Sequence, residues 1–195
     1  SVRDWEADSN LPTTDVNTGA PCRGSDSAVK DIARQLIEVS PTLRSSLKVA
    51  LGGGRTYFLP NTSFDPEYGS TKGRRIDGRN LTNEWISTRN TLGGSAYVWN
   101  KSQFDAFDPV NNSYLLGLFE PSHVQYEADK AIDGAGEPTL TEMTDKALRM
   151  VMKDPNGFFL HVEGGRIDHA HHAGNAERAA AGSRTGEGQR TGGPA

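Results

Sequence analysis

The sequence predicts an α/β fold, a mainly parallel layered sheet flanked by helices. Apolar segments of helical period alternate along the chain with short strand-like runs. Those runs end in glycines or carboxylates, as buried parallel strands do where function gathers at their carboxyl ends. The composition, 34% hydrophobic with 22 Gly in 195 residues, lies close to that of a globular domain.

The elements follow in order. Residues 1–25, rich in Ser, Thr, Pro and Gly, read as a loop that begins in mid-element. Val29, Ile32, Ala33, Leu36 and Ile37 mark one apolar helix face, with Asp26 or Ser27 as the cap and Pro41 as the stop. Residues 47–51 are a short apolar run before Gly52-Gly53-Gly54, hence a buried strand feeding a tight turn. Residues 60–79 are charged and loop-like around Asp65-Pro66-Glu67-Tyr68. Next come a second helix over 80–90, a strand at 96–99, a helical turn at 103–107 and a strand at 114–119. The third helix is the clearest: Leu140, Met143, Ala147, Leu148 and Val151 share a face, and Asp154-Pro155-Asn156-Gly157 ends it. Residues 158–162 read as a buried strand, followed by Glu163-Gly164-Gly165 and a helix over 168–180. Five of the last fifteen residues, 181–195, are Gly and none is large and apolar, so this tail is expected to be disordered and without a core. The domain organisation expected is therefore 1–180 and a divergent tail.

Lys and Arg number 21 against 25 Asp and Glu, a net charge of −4, which offers no electrostatic footprint for nucleic acid or an anionic membrane. No apolar run approaches the roughly 20 residues of a membrane span, and none reads as a signal peptide. The chain opens on Ser1 without Met, which reads as an interior cut. Cys22 is alone and reads as a free thiol. Glycosylation sequons at Asn61, Asn80, Asn100 and Asn111 take four of eleven asparagines, an excess that favours a secretory-pathway glycoprotein.

The chemistry concentrates in Phe158-Phe159-Leu160-His161-Val162-Glu163-Gly164-Gly165-Arg166-Ile167-Asp168-His169-Ala170-His171-His172. A carboxylate at the end of a buried strand is costly unless a cation or hydrogen bonds meet it. Asp168 and His172, four apart, share a helix face and can converge on one ion. Glu163 could reach an adjacent ion, with Gly164-Gly165 allowing close backbone approach. His169, His171 and His172 cannot all face that ion. From spacing alone, a solvated His-rich helix start with Asp168 as its cap accounts for the segment equally well.

This stretch resembles the Val-Glu-Gly-Gly-Arg-Ile-Asp-His-x-His-His signature of animal-type alkaline phosphatases. Similarity extends through Phe119-Glu120-Pro121, Tyr97-Val98-Trp99-Asn100, Arg79-Asn80-Leu81, Asp65-Pro66-Glu67-Tyr68, Gly52-Gly53-Gly54-Arg55 and Asp31-Ile32-Ala33, over most of residues 1–180. In that family a Ser attacks the phosphate monoester while two zinc ions hold it and a magnesium site supports proton transfer. The resemblance implies Glu163 as the magnesium carboxylate, Asp168 and His172 as two ligands of one zinc, and His169 near the phosphate. It implies Arg3, in Ser1-Val2-Arg3-Asp4-Trp5, as the clamp on the substrate phosphate, a role suited to a guanidinium fork. It further implies a calcium site of Glu67, the Phe119 carbonyl, Glu120 and Glu137, an all-oxygen set that suits a hard cation. Glu137 stands where the family has Asp, at a longer spacing from Tyr126. Cys22 lies near a family disulfide position whose partner would precede Ser1.

The family's nucleophilic Ser lies upstream of the Arg3 position, and the remaining zinc ligands lie downstream of the signature. The resemblance thus implies an incomplete middle fragment, inactive alone, of a protein that hydrolyses phosphate monoesters by two-metal catalysis. It also implies a homodimer at the extracellular surface, often lipid-anchored. Two other readings stay open: a related phosphodiesterase or sulfatase, and a non-catalytic metal-binding paralogue.

Overall fold

The computed structural model describes residues 30–187 of the chain. Arg3, Cys22, Asp26, Ser27 and Val29 lie outside the described residues.

Strands β1 (Val49–Gly52), β2 (Ser95–Val98) and β3 (Tyr114–Leu118) pair in parallel in the order β1-β3-β2. Val49 faces Leu115 across one ladder and Ser95 faces Tyr114 across the other. The last strand therefore inserts between the first two, and every residue of β3 is buried.

Side chains alternate across this sheet. Tyr114, Leu116 and Leu118 face one core with Ala33, Ile37, Tyr57, Phe58, Leu81 and Trp85. Leu115 and Phe119 face the other with Val98, Phe104, Phe107, Met143 and Met150. Gly117 separates them, and a Cβ there would come 2.7 Å from both Leu51 Cδ2 and the Phe119 ring. Phe119 in turn meets Phe104 edge to face, with centroids 5.6 Å apart.

The first core is roofed by α1 (Ile32–Ile37), α2 (Pro41–Ser46) and α3 (Leu81–Gly93). Asp31 caps α1 by accepting from Arg34 N at 2.8 Å, and its two oxygens also receive the buried Arg75 guanidinium at 3.0 and 2.9 Å. Pro41 does not merely stop α1, as the sequence predicts; it opens α2. At a first helical position its missing N–H is one of the unsatisfied donors anyway, and Ser40 supplies the cap. Asn80 caps α3 by accepting from Thr82 N and Asn83 N. The 80–90, 96–99, 103–107 and 114–119 expectations all hold within a few residues, with α4 at Lys101–Ala106.

On the second face, α5 (Leu140–Val151) starts at a reciprocal capping box between Thr139 and Glu142. Met143, Ala147, Met150 and Val151 are buried along one side. Lys146 reaches from it to donate to the carbonyl of Phe104 and lies 4.0 Å over that ring, tying α5 to α4.

The structure departs from the sequence expectation at three further places. Residues 158–162 are not a buried strand: they are irregular, and Phe159 is 88% exposed. A strand needs a neighbour to accept and donate its ladder bonds, and among the described residues none lies beside this run. The helix expected over 168–180 is two: α6 (Gly165–His172) and α7 (Ala176–Glu187), broken at Gly174 with φ +63°. The expected tail begins later than residue 181, because α7 continues through 187, Ala179 is buried and a Cβ on Gly182 would press on Ile167 at 2.9 Å.

Leu116, wholly buried in the central strand, gives the direct test of this core. Leu116→Ala is expected to cost about 3 kcal/mol in denaturant unfolding; a loss below about 1 kcal/mol would mean that β3 is not the centre of packing.

Candidate functional site

The turn after β1 places Arg55 beneath the carboxyl end of the sheet. Gly54 takes φ +85° to make this turn, and a Cβ on Gly53 would overlap the Ser122 carbonyl oxygen. The fully buried guanidinium of Arg55 then spends all five N–H donors. Nε and Nη2 grip Asp65 at 2.7 and 2.8 Å, Nη2 also donates to Glu67 at 2.7 Å, and Nη1 donates to the carbonyls of Trp99 at 3.2 Å and Leu118 at 3.1 Å. Asp65 accepts as well from the backbone N–H groups of Glu67 and Tyr68, so the loop that carries Glu67 is fixed against the sheet.

Glu67 lies beside Glu120, just beyond β3, and Asp133, beside the 3-10 turn Lys130–Ile132. One oxygen from each lies within 4.8 Å of the others. Gln125 donates to Glu120 at 2.8 Å, and the Tyr68 hydroxyl lies 3.5 Å from the same oxygen. Both oxygens of Asp133 are buried with no hydrogen-bond partner. Burial, offset by Arg55 and reinforced by Asp133 and Glu120, pushes Glu67 up to about 7. Burial, with Asp133 beside it, likewise raises Glu120. The site opens into a cleft of about 580 Å³ lined by Tyr68, Trp99, Gln125 and Gly134.

A trio in which Glu67 and Glu120 are raised and Asp133 has orphaned oxygens has the donor set of a hard divalent cation, which takes oxygen ligands alone. The residues present fit such an ion. Glu137, expected among the ligands, is not one of the three whose oxygens converge within 4.8 Å, though Glu120 and Asp133 lie near enough to raise it. It is buried, accepts from Gln125 N at 2.9 Å and lies 3.5 Å from Lys130, and burial pushes it up to about 7. Asp133, which sequence reasoning passed over, is in the cluster. Two signals pointed to it: the residue type usual in the family, and a shorter spacing from Tyr126. Phe119 N donates to the Gly52 carbonyl at 2.8 Å, which places Phe119 at the end of β3 next to Glu120.

The second group lies across a cleft of about 730 Å³ between β1, α5 and residues 160–169. Glu163, Asp168 and His169 line it. His172 Nε2 stands 3.5 Å from Asp168 Oδ2 on the shared face that the i, i+4 spacing predicts, and both side chains are exposed. Glu163, also exposed, lies 3.9 Å from His161. A Cβ on Gly165 would sit 3.2 Å from Glu163 Oε1, the free end of an exposed side chain. The donor set of Asp168 and His172 is of the oxygen and nitrogen kind that zinc accepts. His169 is half-buried, with Arg166 Nη1 2.9 Å from its Nδ1 and the His123 ring edge-on at 4.5 Å.

Two outcomes check the acidic centre. Carboxyls raised to about 7 hold protons that the unfolded chain, with the ordinary value 4.5, releases. The stability that Glu67 and Glu137 contribute to the metal-free chain is therefore fully present below about pH 4.5 and is lost as pH rises to about 7. The melting temperature should drop across this window, and calcium chloride should restore it at high pH but not at low. A flat or rising profile would contradict the reading. Arg55→Lys, which cannot reproduce the fork, should cost about 3 kcal/mol in denaturant unfolding because Asp65 and Glu67 are left buried and unpaired.

The family model described as alkaline phosphatase matches residues 1–183. The chain is 43% identical over 180 residues to the alkaline phosphatase of Gadus morhua, covering 91% of this chain and 34% of that protein. It is 44% identical over 173 residues to a membrane-bound alkaline phosphatase of Bombyx mori, covering 87% and 28%. Among solved structures, Thermus thermophilus alkaline phosphatase superposes with a TM-score of 0.61 at 31% identity, over 78% of this chain and 27% of that one. The chain spans about a third of the length of the relatives it matches.

Proposed function

We propose, since the chain belongs to the alkaline phosphatase family, that it is part of an enzyme that hydrolyses phosphate monoesters and that it supplies one wall of the active site. The observation that carries this reading is the placement of Glu163, Asp168 and His169 along the large cleft, with His172 on the same helix face as Asp168. Asp168 and His172 hold one zinc, Glu163 holds magnesium, His169 stands beside the phosphate and Arg3 clamps it through two oxygens. When bound, the metals supply electrostatic stabilisation of the phosphoryl oxygens and activation of the attacking group. A catalytic zinc takes about three protein ligands, and this stretch offers two. Turnover is therefore assigned to the whole protein and not to these 195 residues.

Glu67, Glu120, Asp133 and the Phe119 carbonyl form a calcium site that braces the same end of the sheet, a ligand set in which Asp133 takes the place expected for Glu137. The whole protein is further proposed to be a homodimer at the cell surface, lipid-anchored and glycosylated at Asn61 and Asn111, which are exposed. The Bombyx mori relative is named membrane-bound, and among the described residues no helix is long and apolar enough to cross a membrane.

The test is to express the whole protein and compare hydrolysis of an aryl phosphate monoester with that of a diester. Monoester turnover is expected, and Asp168→Ala should lower kcat by more than about 100-fold, beyond the usual effect of a residue that only supports a ligand, with zinc content falling alongside. Diester hydrolysis in its place, or calcium-dependent stabilisation with no hydrolysis, would overturn the proposal.

A further inference from the structure

We propose that Arg166 is a positioning residue that fixes His169 as its Nε2–H tautomer, so that the imidazole offers the cleft an N–H donor and not a lone pair. The argument begins with the contact of 2.9 Å between Arg166 Nη1 and His169 Nδ1. A guanidinium carries donors only. Nδ1 must then be the accepting nitrogen, and in the neutral ring the proton resides on Nε2. The pair sits at i, i+3 on α6, the spacing that brings two side chains together on one helix face.

Arg166 is itself held in place. Its guanidinium carbon lies 3.7 Å from the centroid of the Tyr126 ring, and that of Arg178 lies over the same ring at 4.5 Å. Arg178 is anchored by Asp129 at 2.8 Å. Nε of Arg166 is buried with no hydrogen-bond partner, so the contact with His169 is not one of several interchangeable bonds for this side chain. A chain of contacts therefore runs from Asp129 through Arg178, Tyr126 and Arg166 to the ring that lines the cleft beside Asp168.

The consequence is chemical. With Nδ1 committed to Arg166, His169 cannot use that nitrogen on a metal, and its Nε2–H is suited to an anionic oxygen. That the anion is a phosphoryl group rests on the proposed function above; the tautomer does not.

Nitrogen-15 NMR of the histidine-labelled full chain reads the tautomer directly. His169 is assigned by loss of its signals in His169→Asn, and the dispersion of the backbone amide spectrum reports that the fold is intact. The native ring should show a protonated Nε2 and a bare Nδ1. Arg166→Lys, which keeps a donor-only group, should preserve this pattern. Arg166→Glu, which presents an acceptor, should move the proton to Nδ1. A native ring protonated on Nδ1, or a Glu variant that keeps Nε2–H while the amide dispersion is unchanged, would overturn the proposal. In the whole protein, Arg166→Glu should lower kcat for the monoester about tenfold or more, and unchanged kcat alongside a switched tautomer would refute the donor role. If the native whole protein has no monoesterase activity, the preceding reading fails while the tautomer assignment stands on its spectrum.

Discussion

A buried arginine with all five donors matched holds the functional end of this molecule together. Arg55 receives no help from water, so its charge must be met within the protein, and its acceptors come from three different parts of the site. The Leu118 carbonyl ties it to the central strand, the Trp99 carbonyl to the end of β2, and Asp65 and Glu67 to the long irregular loop. A polar network of this kind is stable only when complete. The same low-dielectric surroundings that make Arg55 effective also make the remaining carboxylates costly. Asp65 is satisfied by the guanidinium and two backbone N–H groups, whereas Glu67, Glu120 and Asp133 exceed the positive charge available to them. A cation bound among them would relieve that imbalance.

Both functional groups gather at the carboxyl end of the parallel sheet, as open α/β sheets favour. The two clefts share Gln125 in their walls: its side chain steadies Glu120 while its backbone N–H is held by Glu137. The following Tyr126 is the platform for Arg166 and Arg178. Residues 120–137, mostly irregular, thus connect the acidic centre to the signature helix through a continuous run of contacts.

Much of this was legible in the sequence because it rests on local rules. The heptad-like spacing of Leu140, Met143, Ala147 and Val151 marks α5, and the Asp168 and His172 pairing follows from helix geometry alone. What was not legible depends on tertiary neighbours. The apolar run at 158–162 has the composition of a strand, but composition does not supply a ladder partner. Pro41 reads as the stop of α1, and only the cap at Ser40 shows that it opens α2. Asp133 and Glu137 are similar acids in one loop, and only the fold shows that Asp133 joins Glu67 and Glu120 while Glu137 gives one oxygen to Gln125 and Lys130 and keeps the other buried without a partner. The fivefold role of Arg55 has no signature beyond the glycines before it.

The central claim is that the acidic trio, braced by Arg55, is a site for a hard cation with Asp133 as its third carboxylate. Tyr68 and Trp99 line the opening and can sensitise a bound lanthanide, so terbium luminescence in the full chain tests it most directly. The account predicts sensitised emission that calcium displaces, abolished in Asp133→Asn and retained in Glu137→Gln. Emission that survives Asp133→Asn and vanishes in Glu137→Gln would contradict it.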